Sequence, residues 1–301
     1  DSTYALYAAS KIYGLKCLCF TFDNGFLSEY AKRNIENATA AAGVDHVFYR
    51  VDRGLLLRLY RLFLSKCGNP CPVCMRYLEA SPHLMAKAFR VPLVIGGWGA
   101  RISYLSIVPE LYEGGDVDFF RNVVRGEHLE KEVSLPWHAW RDPSGEIVKD
   151  LYRIRFVRAG LRRLFGLSWD LVPFVVPSIG LFDFLEVPYA TLRQVIEVEM
   201  GWKKPPEQFE HMDCLLHEIP FYVHTLKFPE LTAGTLYRSG LVRLGEITRS
   251  EALEAEYNEL RNPPGEPQAL GPFLQEIGMS HDDFLSSVQD WRVLERFRPK
   301  H

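Results

Sequence analysis

Three cysteines are the residues whose types and spacing point most directly to chemistry. Cys71 and Cys74 form a C-x-x-C pair behind Gly68-Asn69-Pro70, and Cys214 ends the distant sequence Glu210-His211-Met212-Asp213-Cys214. Two thiols at this spacing can bind one metal ion or carry out thiol chemistry, and a third soft ligand would complete a site that the fold must assemble. Alternatively, all three are small buried side chains, because free cysteine is among the most buried residue types. The glycine and proline around the pair predict a turn, which favours the chemical interpretation.

The elements that must position these cysteines alternate between strand and helix in the first hundred residues. The predicted strands are Lys16–Phe22, His46–Val51 and Val91–Ile95. The predicted helices are Tyr4–Tyr13, Phe26–Ala42, Leu55–Lys66 and Met75–Phe89. Such alternation is typical of a parallel sheet covered by helices, whose ligands collect at the carboxyl ends of the strands. The turns Asp23-Asn24-Gly25, Cys71-Pro72-Val73-Cys74 and Gly96-Gly97-Trp98-Gly99 would lie at or near that edge.

The later residues divide the chain into further regions. We expect residues 1–100 to form the first part of the nucleotide-binding core, 101–177 an irregular or helical insertion, 178–202 a core strand and helix, and 203–301 a helical C-terminal region that carries Cys214. The insertion would cover the active face, or it is a solvated helical excursion without function. The predicted later elements are a strand at Ile179–Val187 and helices at Tyr189–Met200, Thr248–Asn258 and Ser280–Leu294.

Composition and charge limit the class of protein. The 301 residues are 47% hydrophobic and 24% charged, which is enough to bury a substantial core in one large or two modest domains. The net charge of −3 gives no footprint for nonspecific nucleic-acid binding, although arginines between Arg153 and Arg163 could form a basic face. Six unevenly spaced cysteines do not resemble a secreted disulfide framework, so we expect a reducing cytoplasm. With no visible signal peptide and no apolar run near the roughly 20 residues that span a bilayer, we expect no membrane partner.

The first three residues, Asp1-Ser2-Thr3, lead directly into a predicted helix. They are what would remain if a strand and a glycine-rich phosphate loop were cut off just before that helix. A helix N-terminus offers unpaired N–H groups and the positive end of the helix dipole, and the two hydroxyls would add donors to a pyrophosphate. The alternative is an ordinary helix N-cap.

Taken in order, these features resemble the PP-loop ATP pyrophosphatases, whose loop reads Ser-Gly-Gly-x-Asp-Ser and whose last two positions match Asp1 and Ser2. The closer resemblance is to the N-acetyl sugar amidotransferases of surface-polysaccharide biosynthesis, a branch of that superfamily. The matching stretches are DSTYALY, TFDNGFLSEYAKRNIENATAAAGVDHVFY, GNPCPVCM with VPLVIGGWG, and FEHMDCLLHEIPFYVHTLKF with SGLVRLGEITRSEAL. Similar relatives carry an acidic residue soon after the Trp-Gly pair, whereas Ala100 and Arg101 stand here.

The resemblance implies a Rossmann-like, adenine nucleotide alpha hydrolase-like α/β fold with helices on both faces of a parallel sheet. It also implies that a carbonyl or amide oxygen of an acceptor attacks the α-phosphate of ATP, that pyrophosphate leaves, and that nitrogen or sulfur then displaces AMP. Mg²⁺, which Asp1 would help to bind, and the helix N-terminus would stabilise the departing pyrophosphate. The implied nucleotide-binding residues are Asp1, Ser2, Thr3, Phe22, Asp23, Asn24, Gly97 and Trp98. Asp23 could equally serve only to form its turn.

The cysteines separate two enzymatic hypotheses. In an amidotransferase, Cys71, Cys74 and Cys214 would hold Zn²⁺ or a [4Fe-4S] cluster, and a glutaminase partner would supply ammonia. In a sulfurtransferase that thiolates a tRNA base or a small molecule, the same thiolates would bind a [4Fe-4S] cluster with one open iron. Alternatively, one cysteine would carry a persulfide charged by a sulfur-donor protein. Cys71 and Cys74 are therefore also candidate catalytic residues.

Several further expectations concern partners. His211, three positions before Cys214 on a helix, would be a fourth metal ligand or a partly exposed helix histidine. We expect a small-molecule acceptor that is anionic, such as a nucleotide sugar, recognised by arginines of the insertion such as Arg101. We also expect a homo-oligomer. A third hypothesis is a regulatory protein that binds ATP without chemistry.

Overall fold

Helices dominate the part of the chain that the structure describes, and four short strands lie between them there. The computed structural model describes residues 1–97, 117–133, 176–204, 213–243 and 245–289. The described helices are α1 (Ser2–Tyr7), α2 (Glu29–Ala42), α3 (Arg53–Cys67), α4 (Cys71–Ala88), α5 (Val117–Gly126), α6 (Tyr189–Glu199), α7 (Glu218–Lys227), α8 (Thr235–Arg243), α9 (Arg249–Arg261), α10 (Leu270–Ile277) and α11 (His281–Gln289). The described strands are β1 (Leu18–Phe22), β2 (Asp45–Tyr49), β3 (Val94–Gly96) and β4 (Ser178–Gly180).

The strands pair in parallel, as the alternating pattern predicts. In the first pair, β1 runs beside β2 with Phe22 opposite Tyr49, and in the second, β3 runs beside β4 with Gly96 opposite Gly180. In the described part of the chain these are two separate sheets of two strands each. The α/β class with parallel strands is therefore confirmed, whereas one continuous Rossmann-like sheet is not seen among the described residues.

Side-chain caps explain why the helices that flank β2 begin where they do. The Ser28 hydroxyl accepts the Ala31 N–H at 3.0 Å at the start of α2, and the Asp52 carboxylate accepts the Leu55 N–H at 2.8 Å at the start of α3. Each cap satisfies an N–H group that has no partner inside the helix, which is typically worth about 1 kcal/mol. Gly68 then ends α3 with φ +64°, a left-handed conformation suited to glycine.

The larger hydrophobic core joins the end of β1 to α3, α4, α5, α7, α10 and α11. Helix α5 comes from the predicted insertion, and its Phe120, Val123 and Val124 are almost completely buried. Phe120 stacks on Phe63 of α3 with ring centres 5.0 Å apart. Full burial of side chains of this size contributes roughly 1.5 to 3 kcal/mol each. This helix of the insertion is therefore a core element and not a solvated excursion.

A second, smaller core supports the beginning of the chain. Tyr4 and Ala5 of α1 pack with Leu181, Leu192 and Ile196 around β4 and α6. A π-helical segment, Ala8–Ile12, continues α1, and the prediction of one helix from Tyr4 to Tyr13 is confirmed in outline. Of the helices in the described ranges, none is long and apolar enough to cross a membrane.

Two predictions about local structure are wrong. The Cys71–Cys74 segment is not a reverse turn; it begins helix α4. Pro72 is tolerated there because N–H groups at the start of a helix have no partner inside it, so the missing N–H of proline is not needed. The predicted strand Ile179–Val187 is extended only over Ser178–Gly180. Its continuation is a 3₁₀ turn, Leu181–Asp183, in which the Phe184 N–H donates to the Leu181 carbonyl at 3.1 Å.

Candidate functional site

The turn after β1 is built from two consecutive side-chain-to-backbone hydrogen bonds. Asp23 Oδ1 accepts the Gly25 N–H at 2.8 Å, and Asn24 Oδ1 accepts the Phe26 N–H at 2.9 Å. Asp and Asn favour such turns because their short side chains reach the backbone two residues on. Asp23 and Asn24 are only 5% and 7% exposed, so the remaining polar atom of each side chain must find a partner within the protein.

The amide nitrogen of Asn24 donates hydrogen bonds to two cysteine sulfurs. Nδ2 donates to Cys74 Sγ at 3.5 Å and to Cys214 Sγ at 3.3 Å. The side-chain orientation is defined because only the amide oxygen can accept the Phe26 N–H. Both sulfurs lie within 3.5 Å of one nitrogen, so they are at most twice that distance apart. The predicted approach of Cys214 to the C-x-x-C pair is therefore confirmed for Cys74.

Backbone pairing brings Cys214 to this turn. Its segment forms an antiparallel bridge with the residues that follow Gly25. The Leu215 N–H donates to the Phe26 carbonyl at 2.8 Å, and the Ser28 N–H donates to the Asp213 carbonyl at 3.0 Å. The prediction that Cys214 lies on a helix is thus wrong, because α7 begins only at Glu218. The predicted fourth ligand, His211, lies outside the described residues.

Hydrogen bonds surround both sulfurs. Cys74 Sγ shares a hydrogen bond of 2.9 Å with the Tyr60 hydroxyl, and Cys214 Sγ accepts the Leu216 N–H at 3.4 Å. Burial raises the pKa of Cys74 to about 11, although the hydrogen bonds from Tyr60 and Asn24 act in the opposite direction. Burial likewise raises the pKa of Cys214 against its own two hydrogen bonds. Burial therefore disfavours the thiolate form of both side chains when no metal is bound, which makes them weak nucleophiles.

Cys71 lies one helical turn before Cys74, and its N–H donates to Asn69 Oδ1 at 3.0 Å. The pKa of Tyr60 is raised first by burial and then by the charges of Cys74, Cys214 and Cys71, so all three cysteines lie near this hydroxyl. In the described ranges, which omit His211, no group of three or more His, Cys, Asp or Glu side chains is arranged to hold a metal ion. The metal-ligand role of the cysteines stays a prediction.

The first residues of the chain lie against the end of β3. A Cβ atom on Gly97 would stand 2.6 Å from the Asp1 carbonyl carbon and 2.7 Å from Ser2 Cα, so only glycine permits this approach. Asp1 precedes α1 but makes no side-chain capping hydrogen bond. The backbone nitrogen of Asp1 lies near the Asp213 carboxylate. Asp1 therefore lies close to the residue that precedes Cys214.

The other predicted nucleotide-binding residues differ in accessibility. Ser2 is exposed and Thr3 is half-buried on the first turn of α1. The Phe22 side chain is buried and stacks on Tyr77 with ring centres 5.4 Å apart, so only its backbone is free to meet a ligand. Its contact with adenosine stays a prediction. Trp98 and Arg101 lie outside the described residues.

A cavity of about 300 Å³ opens beside the β1 turn. Its walls are formed by Asp23, Asn24, Gly25, Leu27, Lys32, Arg50, Val51, Arg53 and Leu56. Three of these side chains are cationic, and sequence reasoning missed all three. The available signal was the position of Arg50 and Arg53 just after β2, because the carboxyl ends of parallel strands are where ligands bind.

Comparison with known proteins adds no family to this geometry. No protein-family model matches the chain, and no curated protein matches it either. The function must therefore be argued from the residues that the structure brings together.

Proposed function

We propose that the protein is an ATP-dependent, amidotransferase-like enzyme of the PP-loop type. It would adenylate a carbonyl or amide oxygen of a small, sugar-type acceptor, release pyrophosphate and replace AMP with nitrogen. The observation that carries this proposal is the junction at the end of β1, where Asn24 joins Cys74 and Cys214. Asp213, beside Cys214, lies near the backbone nitrogen of Asp1, so the start of α1 is close to this junction.

The proposed nucleotide site extends from α1 to the β1 turn. In the proposed Rossmann-like arrangement both strand pairs would belong to one sheet with a common carboxyl edge. The phosphates of ATP would lie at Ser2 and Thr3, where hydroxyls and N–H groups of the first helical turn can donate to them. The absence of a side chain on Gly97 allows the close approach between the start of α1 and the end of β3. The adenosine would extend toward Asp23 and Asn24.

Oxygen ligands suit a magnesium ion, and the Asp213 carboxylate lies near the backbone nitrogen of Asp1. The Asp1 carboxylate is exposed and unused as a cap, which fits a role in holding Mg²⁺. The ion would neutralise charge on the departing pyrophosphate. The first helical turn would orient the phosphates so that the acceptor oxygen can attack in line.

The buried thiols fit a structural zinc or iron–sulfur site better than a free nucleophile, because burial disfavours a free thiolate whereas a bound metal would displace the proton and stabilise it. Cys71, Cys74 and Cys214 would be the ligands. The Asn24 amide would hydrogen-bond two of the sulfurs, as groups outside a metal's ligand shell commonly do. Soft sulfur ligands select zinc or an iron–sulfur cluster over harder ions.

The sulfurtransferase remains the second candidate. The observation that favours it is the position of the thiol pair beside the turn that would contact adenosine, where a persulfide could reach an adenylated carbon. Metal and sulfide analysis of anaerobically purified protein separates the candidates in part. Bound zinc would argue against the sulfurtransferase, and an iron–sulfur cluster would support it.

The proposed reaction is tested by incubating the protein with ATP, Mg²⁺ and a panel of nucleotide N-acetyl sugars, with ammonium or sulfide as the second substrate. We expect AMP and pyrophosphate to form only with an acceptor, and product mass to show which atom is transferred. Asp1→Ala should lower turnover at least about 100-fold without unfolding the protein. The matched control is Asp45→Ala, an exposed aspartate at the start of β2. Formation of ADP and phosphate would contradict the proposal.

A further inference from the structure

The cationic wall of the cavity beside the β1 turn, formed by Lys32, Arg50 and Arg53, has no role in the chemistry described above. We propose that it binds the anionic group of the acceptor, a phosphate or a carboxylate, and thereby holds the acceptor beside the residues proposed to contact adenosine. This inference rests on the proposed function, which it deepens by assigning the acceptor to a chemical class and a position. The sequence predicts that Arg101 recognises the anionic acceptor, and the present proposal assigns that role to residues that the structure describes.

The cavity collects cationic groups from three separate parts of the chain. Lys32 comes from α2, Arg50 follows β2, and Arg53 begins α3. Asp23 is the one carboxylate of the lining, and it is engaged in the turn and with Arg50. Arginine and lysine side chains that converge on one cavity favour an anionic ligand, and arginine can grip phosphate or carboxylate with two parallel hydrogen bonds.

Arg50 is held in position for such a contact. Its Nε donates to Asp23 Oδ2 at 2.6 Å, and that carboxylate is itself fixed in the β1 turn by the Gly25 N–H. The Arg50 side chain is nonetheless 70% exposed, so it is anchored at Nε while its outer end reaches solvent. A guanidinium carries five N–H donors, and the bond to Asp23 uses the one on Nε.

Arg53 is oriented by a different set of contacts. Its guanidinium lies 5.0 Å above the centre of the Phe26 ring, and its Nε donates to Glu276 Oε1 at 3.1 Å. The same guanidinium covers Gly25, where a Cβ atom would be 3.4 Å from its central carbon. Arg53 is also the first residue of a 15-residue helix, whose positive dipole end adds to the attraction for an anion.

Lys32 completes the cationic wall through a pair that a ligand can replace. It binds Glu29 at 2.7 Å three residues earlier on α2, and both side chains are substantially exposed. Exposed pairs of this kind contribute little to stability. An anion that enters the cavity can therefore draw Lys32 away from Glu29 at small cost.

The position of the cavity assigns it to the acceptor rather than to the phosphates of ATP. Its lining omits Asp1, Ser2 and Gly97, which belong to the proposed phosphate site. It includes Asn24, whose amide nitrogen contacts both Cys74 and Cys214 on the other side of the turn. A molecule anchored in the cavity is thus separated from the two thiols by the Asn24 side chain and lies beside the residues proposed to contact adenosine. A volume of about 300 Å³ suits a charged group with part of a sugar.

The test is a titration of the full chain at low salt with two probes, inorganic phosphate and malonate. We expect at least one probe to bind, and the stronger one indicates whether the acceptor carries a phosphate or a carboxylate. Arg50→Gln and Lys32→Gln should each weaken binding about tenfold, the usual effect of losing one charge-assisted hydrogen bond. The two residues lie on different elements, so a folding defect in one variant leaves the other informative.

The matched control is Arg58→Gln. Arg58 lies on α3, one turn after Arg53, is half exposed and pairs with Glu132 outside the cavity lining. Its loss changes the net charge by the same amount and should leave probe binding unchanged. Equal weakening in this variant, or no binding of either probe, would overturn the anion site.

Two further measurements separate this inference from the proposed function. Displacement of a bound probe by adenosine, which carries no phosphate, would overturn the acceptor assignment, because the cavity would then hold the nucleoside. Cleavage of ATP to AMP in a protein that binds neither probe would overturn the cavity assignment alone. Probe binding without any ATP cleavage would sink the proposed function and leave the anion site standing.

Discussion

Asp23 and Asn24 are neighbours that form the same kind of turn, yet the second polar atom of each side chain has partners of a different chemistry. Each uses Oδ1 to accept a backbone N–H two residues on. The second carboxylate oxygen of Asp23 binds the exposed guanidinium of Arg50, whereas the amide nitrogen of Asn24 donates to two half-buried sulfurs. A carboxylate is needed where a cation must be held, and an amide where sulfur must receive a hydrogen bond without a buried charge.

These two sets of partners, the cationic side and the thiol side, also differ in how much they depend on water. The cationic side is open, so its ion pairs are screened and exchangeable. The thiol side is desolvated, and burial there raises the pKa of Cys74 and of Cys214. The cationic side, with Asp23 and Arg50, is therefore suited to reversible electrostatic binding. The thiol side, with Asn24, Cys74 and Cys214, is a fixed hydrogen-bonded group that a substitution should destabilise strongly. Substitutions at Asn24, Asp23 and Gly25 and the pH dependence of Cys74 alkylation test this difference.

The largest effect is expected from Asn24→Asp. The substitution keeps the turn oxygen but replaces the donor to both sulfurs with a buried carboxylate oxygen, which cannot donate to them. We expect a loss of about 3 kcal/mol in the free energy of unfolding, the upper range for an uncompensated buried polar group. Urea denaturation followed by circular dichroism measures it.

The reciprocal change, Asp23→Asn, is the matched control. Its amide oxygen can still accept the Gly25 N–H, and only the attraction to Arg50 is lost. Because Arg50 is largely exposed, the expected cost is about 1 kcal/mol or less. Equal losses of unfolding free energy in the two variants would show that only the turn contributes to stability and that the partners of each side chain do not.

Local patterns predicted much of this region from the sequence. The strand at β1 and the helices α2 and α3 follow from apolar periodicity and from Ser28 and Asp52 as caps, which are short-range signals. The approach of Cys214 to Cys74 was also predicted, but for the wrong reason. It results from an antiparallel bridge beside Phe26 and not from a helix folded over the sheet.

Features that depend on distant partners could not be predicted in the same way. The orientation of Arg53 requires Glu276, which lies on α10 and has no spacing relation to it. The predicted strand Ile179–Val187 is too long because an apolar run that ends in a 3₁₀ turn has the same composition as a strand. The C-x-x-C segment was assigned to a turn because proline there fits the first turn of a helix equally well.

An intermediate effect is expected from Gly25→Ala. Gly25 has φ +79°, which strains any residue with a Cβ atom, and that atom would press on the Arg53 guanidinium. We expect a loss of about 1 kcal/mol in stability and weaker binding of phosphate or malonate to the cavity. Gly43→Ala is the control, since Gly43 has φ +66° with nothing near its Cβ position. It should lose similar stability and keep full anion binding. If both variants bind the probes equally, the contact between Gly25 and Arg53 has no part in the cavity.

The smallest expected effect is a change in the rate at which Cys74, on the thiol side, is alkylated. Burial raises the pKa of Cys74 to about 11 from the usual 9.0, so the fold favours the neutral thiol. This contribution to stability is present below pH 9 and is lost as the pH rises toward 11, because the unfolded chain then ionises more readily. In metal-free protein, alkylation of Cys74 by iodoacetamide, followed by mass spectrometry, should be slow at neutral pH and should accelerate over the same range.

Tyr60→Phe sharpens this measurement, because the Tyr60 hydroxyl favours the thiolate through its hydrogen bond of 2.9 Å to Cys74. Losing a bond worth about 1 kcal/mol should raise the pKa further and slow alkylation about fivefold at a fixed pH below the pKa. Tyr237→Phe, at an exposed tyrosine of α8, should leave the rate unchanged. Rapid alkylation of Cys74 at neutral pH would instead reveal a stabilised thiolate. The thiol side would then be reactive rather than structural, which favours the sulfurtransferase over the amidotransferase.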